Sequence, residues 1–165
     1  MTEDRVARPA GAGPPRTIII GIGSLLRGDD AVGLRVAEAL EGEGLPSGVT
    51  VVSTTAAGLS LLELMTGFDR ALVIDAIKTR RGTPGDVYRL VPEDLPEPLH
   101  GFTVHDVSLR AALDIGARMG LPLPEQIVIL AIEAGDVTPL REGCTPEVEE
   151  AVPRAVSLAL RELQG

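Results

Sequence analysis

Four short apolar runs, "TIIIGIG", "VTVVST", "ALVIDAI" and "QIVILAI", alternate along the chain with stretches whose apolar residues recur at helical spacing. Strands buried on both faces read as continuous β-branched runs rather than as an apolar–polar alternation. Strand–helix alternation of this kind has few solutions. It predicts an α/β three-layer sandwich, with a mainly parallel twisted sheet flanked by helices. The helical segments are "DDAVGLRVAEALEGEG" from Asp29 or Asp30, "GLSLLELMTGF", "TVHDVSLRAALDIGARMG" and "TPEVEEAVPRAVSLALREL". An aspartate suits the start of the first by its macrodipole. Thr103 is the expected N-cap of the third, with Asp106 as a weak capping-box partner. Thr145 and Pro146 match an N-cap followed by proline at the first helical position. Pro153 lies inside the last apolar stripe and is expected to kink it. "DVYRL" reads as a shorter strand at an edge, and "VPEDLPEPLHGF" is too rich in proline for regular structure.

Residues 1–16, "MTEDRVARPAGAGPPR", read as a flexible tail, and residues 17–165 as one α/β domain. Aromatic residues make up only 2% of the chain, so the core must be built from Val, Leu, Ile and Ala. The formal charge of −9 repels phosphate backbones and argues against a nucleic-acid partner. The tail has no apolar h-region and no run approaches a membrane span, so a soluble cytoplasmic protein with no membrane partner is expected. Cys144 is the single cysteine, which excludes an internal disulfide.

"GIGSLLRGDD", residues 21–30, follows the first strand and poses a question of charge. Glycines two apart suggest a phosphate cradle, whereas adjacent aspartates suggest a cation. A dinucleotide fingerprint needs a third glycine where Leu26 stands, and an acid after the second strand, where "VVSTTAAG" has none. A Walker-type loop needs Gly-Lys-Ser/Thr, and that triplet is absent. Two aspartates at the helix start would also repel a pyrophosphate. A plain strand-to-helix turn with one capping aspartate explains much of the loop, but a second aspartate then needs another reason.

Ligands of open α/β sheets collect beyond the carboxyl ends of the strands. Asp30 follows the first strand. Asp75 ends the third, directly behind "ALVI", where a carboxylate is costly unless partnered. His105 opens the helix after the proline-rich loop, where a helix N-terminus disfavours imidazolium. Two carboxylates and a neutral imidazole would make an open site for a borderline divalent ion. Each residue also has a plainer reading: Asp30 as a cap, Asp75 as a hydrogen-bonded strand end, His105 as an exposed first-turn residue. No Gly-x-Ser-x-Gly elbow is present, and two histidines give a serine triad little support. Cys144 precedes a helix, where a thiol pKa can fall, although a buried or merely tolerated thiol is the plainer reading. His100, in "PLHGF", reads as a surface residue.

At these residues the chain resembles the endopeptidases that mature the large subunit of nickel-iron hydrogenases. Four motifs carry the resemblance in order: "GIGSLLRGDDAVGLRVAEAL", "VIDAI", "TVHDVSL" and "GCTPEV". The resemblance implies a twisted sheet flanked by helices and a metal held by Asp30, Asp75 and His105. It implies removal of a C-terminal extension from the hydrogenase large-subunit precursor after nickel insertion, with the precursor's own nickel as the recognition element. Asp30 and Asp75 are then the catalytic candidates, either sharing the metal that activates the scissile bond or acting as general base. Two departures concern substrate choice: Ser24 stands where the family usually has Asn, and "TTAAG" replaces a Gly-Gly-Thr-x-Gly segment, keeping only Thr55 and Gly58. The rival readings are a non-catalytic assembly factor that checks for nickel, and a Rossmann-like nucleotide-binding protein.

Overall fold

The structure is a computed structural model that describes residues 13–56, 58–95 and 104–165, apart from the side chains of 104–108. Five strands are present among them: β1 (Thr17–Ile22), β2 (Val49–Thr54), β3 (Arg70–Ile77), β4 (Val87–Leu90) and β5 (Gln126–Glu133). The helices are α1 (Val32–Glu41), α2 (Leu59–Met65), α3 (Val104–Arg118), α4 (Pro146–Glu149) and α5 (Val152–Glu162). The sheet order is β2-β1-β3-β5-β4. β1, β2, β3 and β5 pair in parallel, and β4 adds to β5 antiparallel at one edge. This is the mainly parallel sandwich expected from the apolar runs, and "DVYRL" is its edge.

Alternating side chains of each central strand supply the two cores. Ile18, Ile20, Ile22, Val73 and Ile129 face α2 and α3, where they meet Leu61, Met65, Leu109 and Ala112. Ile19, Leu72, Ile74, Leu130 and Ile132 face α1 and α5, where they meet Val36, Leu40, Ala155 and Ala159. Each such Ile or Leu contributes about 1.5–3 kcal/mol on burial, so aliphatic side chains hold the domain almost without aromatics.

A third glycine does bring helix and strand together, but it is Gly33 rather than position 26. A Cβ at Gly33 would stand 2.3 Å from the Ile22 carbonyl oxygen and 2.5 Å from that of Ile74. A Cβ at Gly21 would stand 2.4 Å from the Gly33 carbonyl oxygen. The two glycines let α1 lie directly on β1 and β3. Gly21 is therefore a close-packing residue.

Two expectations about helix ends need correction. A 3₁₀ turn over Gly28–Ala31 precedes α1, and no side chain caps either one. Pro153 does not kink one long helix but separates two. α4 ends at Glu149, four residues before Pro153, and Pro153 sits in the first turn of α5. A proline clashes with the carbonyl four residues back and tolerates only the first turn. At the other end of the chain, the Arg16 N–H donates to Asp69 (2.7 Å) and its guanidinium lies 5.0 Å from the Phe68 ring centroid. The Thr103 cap lies outside the described residues. No helix among them is long and apolar enough to cross a membrane.

Candidate active site

β1 has β2 on one side and β3 on the other, so the strand order reverses between β1 and β3. A crevice opens beyond the carboxyl ends of strands at such a switch. Asp30 lies on the 3₁₀ turn that follows β1, and this turn packs against β3. Its backbone is closely held. Ser24 N–H donates to the Asp30 carbonyl (3.3 Å), and Asp30 N–H donates to Arg27 (3.2 Å). Gly23 leaves room for this, since a Cβ there would stand 2.0 Å from the Asp30 carbonyl oxygen. Glycine is needed in the loop to admit a carbonyl that presents an aspartate.

Asp75 is the third residue from the end of β3 and is buried, at 2% exposure. Its Oδ1 accepts the Ala76 N–H at 2.8 Å. By strand alternation it shares a sheet face with Ala71, Val73 and Ile77, the face covered by α2 and α3.

His105 lies in the first turn of α3, and its side chain is outside the described residues. The helix backbone fixes the level of that turn. The segment after α3 is tied to the start of β3 through Gly67 N–H to Pro122 (3.1 Å) and Glu125 N–H to Asp69 (3.0 Å). Fifteen helical residues span about 22 Å, so α3 runs from that edge toward the carboxyl end of the sheet. Among the residues whose side chains are described, no three His, Cys, Asp or Glu converge as a metal site. Asp30 and Asp75 are the described members of the predicted triad. His100 lies outside the described residues.

Asp29 does something quite different from its neighbour. It has no exposed surface. Its Oδ2 accepts the N–H groups of Gly135 (2.7 Å) and Asp136 (2.8 Å), and its Oδ1 accepts the Thr145 N–H (2.6 Å). The Thr145 hydroxyl reaches both oxygens at 3.0 Å. This carboxylate ties the β1 loop to the segment joining β5 and α4. Thr145 stands at the N-cap position of α4 with Pro146 first in the helix, as expected, but its side chain is turned to Asp29 and makes no capping hydrogen bond. Asp29 is thus a structural residue, which leaves Asp30 as the site candidate of the pair.

Glu133, at the end of β5, was not singled out by sequence reasoning. It is 1% exposed and accepts from the Thr79 N–H (2.7 Å), the Thr79 hydroxyl (3.0 Å) and the Tyr88 hydroxyl (3.2 Å). Burial raises the Tyr88 pKa, and the Glu133 charge raises it further. The signal was the same as for Asp75: an acid directly behind an apolar strand, "QIVILAIE".

Cys144 follows the plainer of its two readings, a partly buried thiol whose pKa is raised rather than lowered. Burial pushes its thiol up to about 11, with Glu149 and Asp29 adding to the shift and Arg35 opposing it. α4, only four residues long, does not offset these carboxylates. The thiol lies 4.0 Å from the Gly28 carbonyl oxygen and is poorly suited to be a nucleophile.

Two carboxylates beside a strand-order switch can hold a cation or take a proton from water. Comparison with known proteins gives this chemistry a context. The chain is 28% identical over 151 residues to the hydrogenase 2 maturation protease of Escherichia coli, covering 90% of this chain and 91% of that one. The structure of the hydrogenase maturating endopeptidase HybD from E. coli superposes with a TM-score of 0.79 at 28% identity, covering 90% of this chain and 92% of the other. The [NiFe] hydrogenase maturation protease HycI from Thermococcus kodakarensis superposes with a TM-score of 0.69 at 25% identity, covering 93% and 96%. A sequence profile of the hydrogenase maturation protease (HycI) family matches residues 34–162. This match spans most of the domain, including Asp75 and the first turn of α3, and the chain belongs to the hydrogenase maturation protease family.

Proposed function

We propose that this protease removes the C-terminal extension of a nickel-iron hydrogenase large-subunit precursor in the cytoplasm, and that nickel carried by the precursor is what it recognises. Asp30, Asp75 and His105 would hold that ion jointly with the precursor. The observation that most supports this reading is the pair Asp30 and Asp75 at the β1/β3 switch, with Asp75 on the sheet face that α3 covers. The donor set suits a borderline divalent ion and includes no thiolate, since the Cys144 thiol stays protonated at neutral pH. Nickel bound there would supply a Lewis acid beside the scissile carbonyl. The chain's own residues would orient the tail, and one of the aspartates would take the proton of the attacking water.

A site that borrows its metal makes cleavage depend on completed nickel insertion. Metal-stripped protein is incubated with nickel-loaded and with apo-precursor, and the intact masses are compared. Trimming of the loaded precursor alone is expected. Equal trimming of both would sink the nickel dependence. Intact loaded precursor that remains bound would instead mark a non-catalytic checking factor. Alanine at Asp30, Asp75 or His105 should each weaken nickel binding by at least the roughly 10- to 100-fold known for outer-shell partners.

A further inference from the structure

We propose that Leu26 and Leu140, flanked by Leu25, form an apolar rim that docks an extended apolar segment of the hydrogenase precursor beside the bond to be cut; this rests on the functional reading above. Leu25, Leu26 and Leu140 are 61%, 51% and 86% exposed. They lie on two loops that touch. Arg27 and Arg141 form a parallel bridge, and the Gly28 N–H donates to the Arg141 carbonyl at 2.8 Å. Immediately before that bridge, on the two neighbouring segments, stand Leu26 and Leu140.

Leu140 has φ +64°, the one positive φ outside glycine among the described residues. That conformation costs a leucine about 1–2 kcal/mol. A solvent-facing leucine recovers none of it by packing. The loop is nevertheless built firmly. Asp136 accepts from the Thr138 N–H (2.8 Å) and hydroxyl (2.5 Å) and pairs with Arg141. The Asp136 N–H is itself held by Asp29. A rigid segment that holds a strained leucine out to water points to a use for the leucine.

The position of the rim selects the occupant. Leu25 and Leu26 belong to the loop that carries Asp30, five and four residues before it, so a chain brought to Asp30 would have this rim within reach. The same segment offers Arg27, exposed and without an ion-pair partner among the described residues. The matching ligand is an extended peptide with apolar side chains, held within a substrate that the carboxylates then engage.

The test uses the full-length protein and nickel-loaded precursor, with affinity read by biolayer interferometry separately from cleavage. Leu140→Asn removes the apolar surface but suits the left-handed conformation, so the melting temperature should hold or rise. The precursor Kd should rise about tenfold, and about a hundredfold with Leu26→Asn added. Met119, 67% exposed at the end of α3 and away from this edge, is the control, and Met119→Asn should leave Kd unchanged. An unchanged Kd in the double variant, with its fold intact by circular dichroism, would overturn the rim. So would loss of a dimer in sedimentation without loss of precursor affinity, which would assign the surface to a second copy of this chain. Wild-type protein that binds loaded precursor through these leucines and never cuts it would sink the protease reading and leave the rim standing.

Discussion

The carboxylate of Asp29 accepts both the N–H of Thr145, at 2.6 Å, and its hydroxyl, at 3.0 Å, across 116 residues of sequence. With Gly135 and Asp136 on the other oxygen, this one side chain gathers the loops after β1 and β5. Both oxygens must accept. Asn offers one acceptor and turns an N–H₂ toward donors that are already there. Asp29→Asn should therefore cost about 3 kcal/mol or more in urea unfolding, because it leaves donors unmet and buries an opposed one. A midpoint within error of the parent would mean that the staple contributes little.

Cys144 should be chemically quiet. With its pKa raised from the ordinary 9.0 to about 11, roughly one thiol in a thousand is ionised at pH 8. Alkylation by iodoacetamide in the native state should be slow at pH 8 and still rising above pH 10. The Cys144→Ala protein should retain cleavage of nickel-loaded precursor. The linkage has a definite sign. Above about pH 9 the unfolded thiol loses its proton while the folded one keeps it, so this group makes stability fall between about pH 9 and 11. Complete loss of cleavage in a folded Cys144→Ala protein would return the thiol to the mechanism.

Gly33 tests the packing of α1 against the sheet. The new methyl of Gly33→Ala would meet two main-chain oxygens, of Ile22 and Ile74. Neither can swing away as a side-chain tip would. The helix must lift from β1 and β3, at a cost of about 1–3 kcal/mol that exceeds the gain in helix propensity of about 1 kcal/mol. A melting temperature equal to or above the parent's would show that α1 tolerates the shift.

How far the sequence could be read depended on the range of the interactions. β1, β3 and β5 were legible because a buried parallel strand is a local pattern; β2 was read from the same kind of β-branched run, although it stands at the sheet edge and none of its residues is buried. Asp75 was legible for a similar reason: "ALVI" buries whatever follows it. The same rule applied to "QIVILAI" would have found Glu133. The structural role of Asp29 was not legible. It depends on Gly135, Asp136 and Thr145 arriving at one carboxylate, and nothing within ten residues encodes that meeting. Gly33 was missed because the close-packing glycine was sought at the nucleotide-binding spacing. Pro153 was misjudged because an unbroken apolar stripe runs through both α4 and α5, and the stripe is continuous even where the backbone is not.

Gly23 links the turn to the site. A Cβ there would stand 2.0 Å from the carbonyl oxygen of Asp30 and 3.1 Å from its carbonyl carbon, so Gly23→Ala must displace the backbone of the residue proposed to hold nickel. Asp29 remains clamped to the β5–α4 segment, so the displacement falls on the turn around Asp30 more than on the fold. Loss of site function should therefore exceed loss of stability. Nickel affinity, by calorimetry on the metal-stripped protein, should fall about 10- to 100-fold, as it does when groups that orient metal ligands are disturbed. The melting temperature should fall by only a few degrees, corresponding to about 1 kcal/mol. Asp30→Asn should show the same pattern without the steric change, and the double variant should lose little beyond either single one, because both act through one ligand. Additive losses would place the effect of Gly23 elsewhere, and parental nickel binding in both single variants would remove Asp30 from the site.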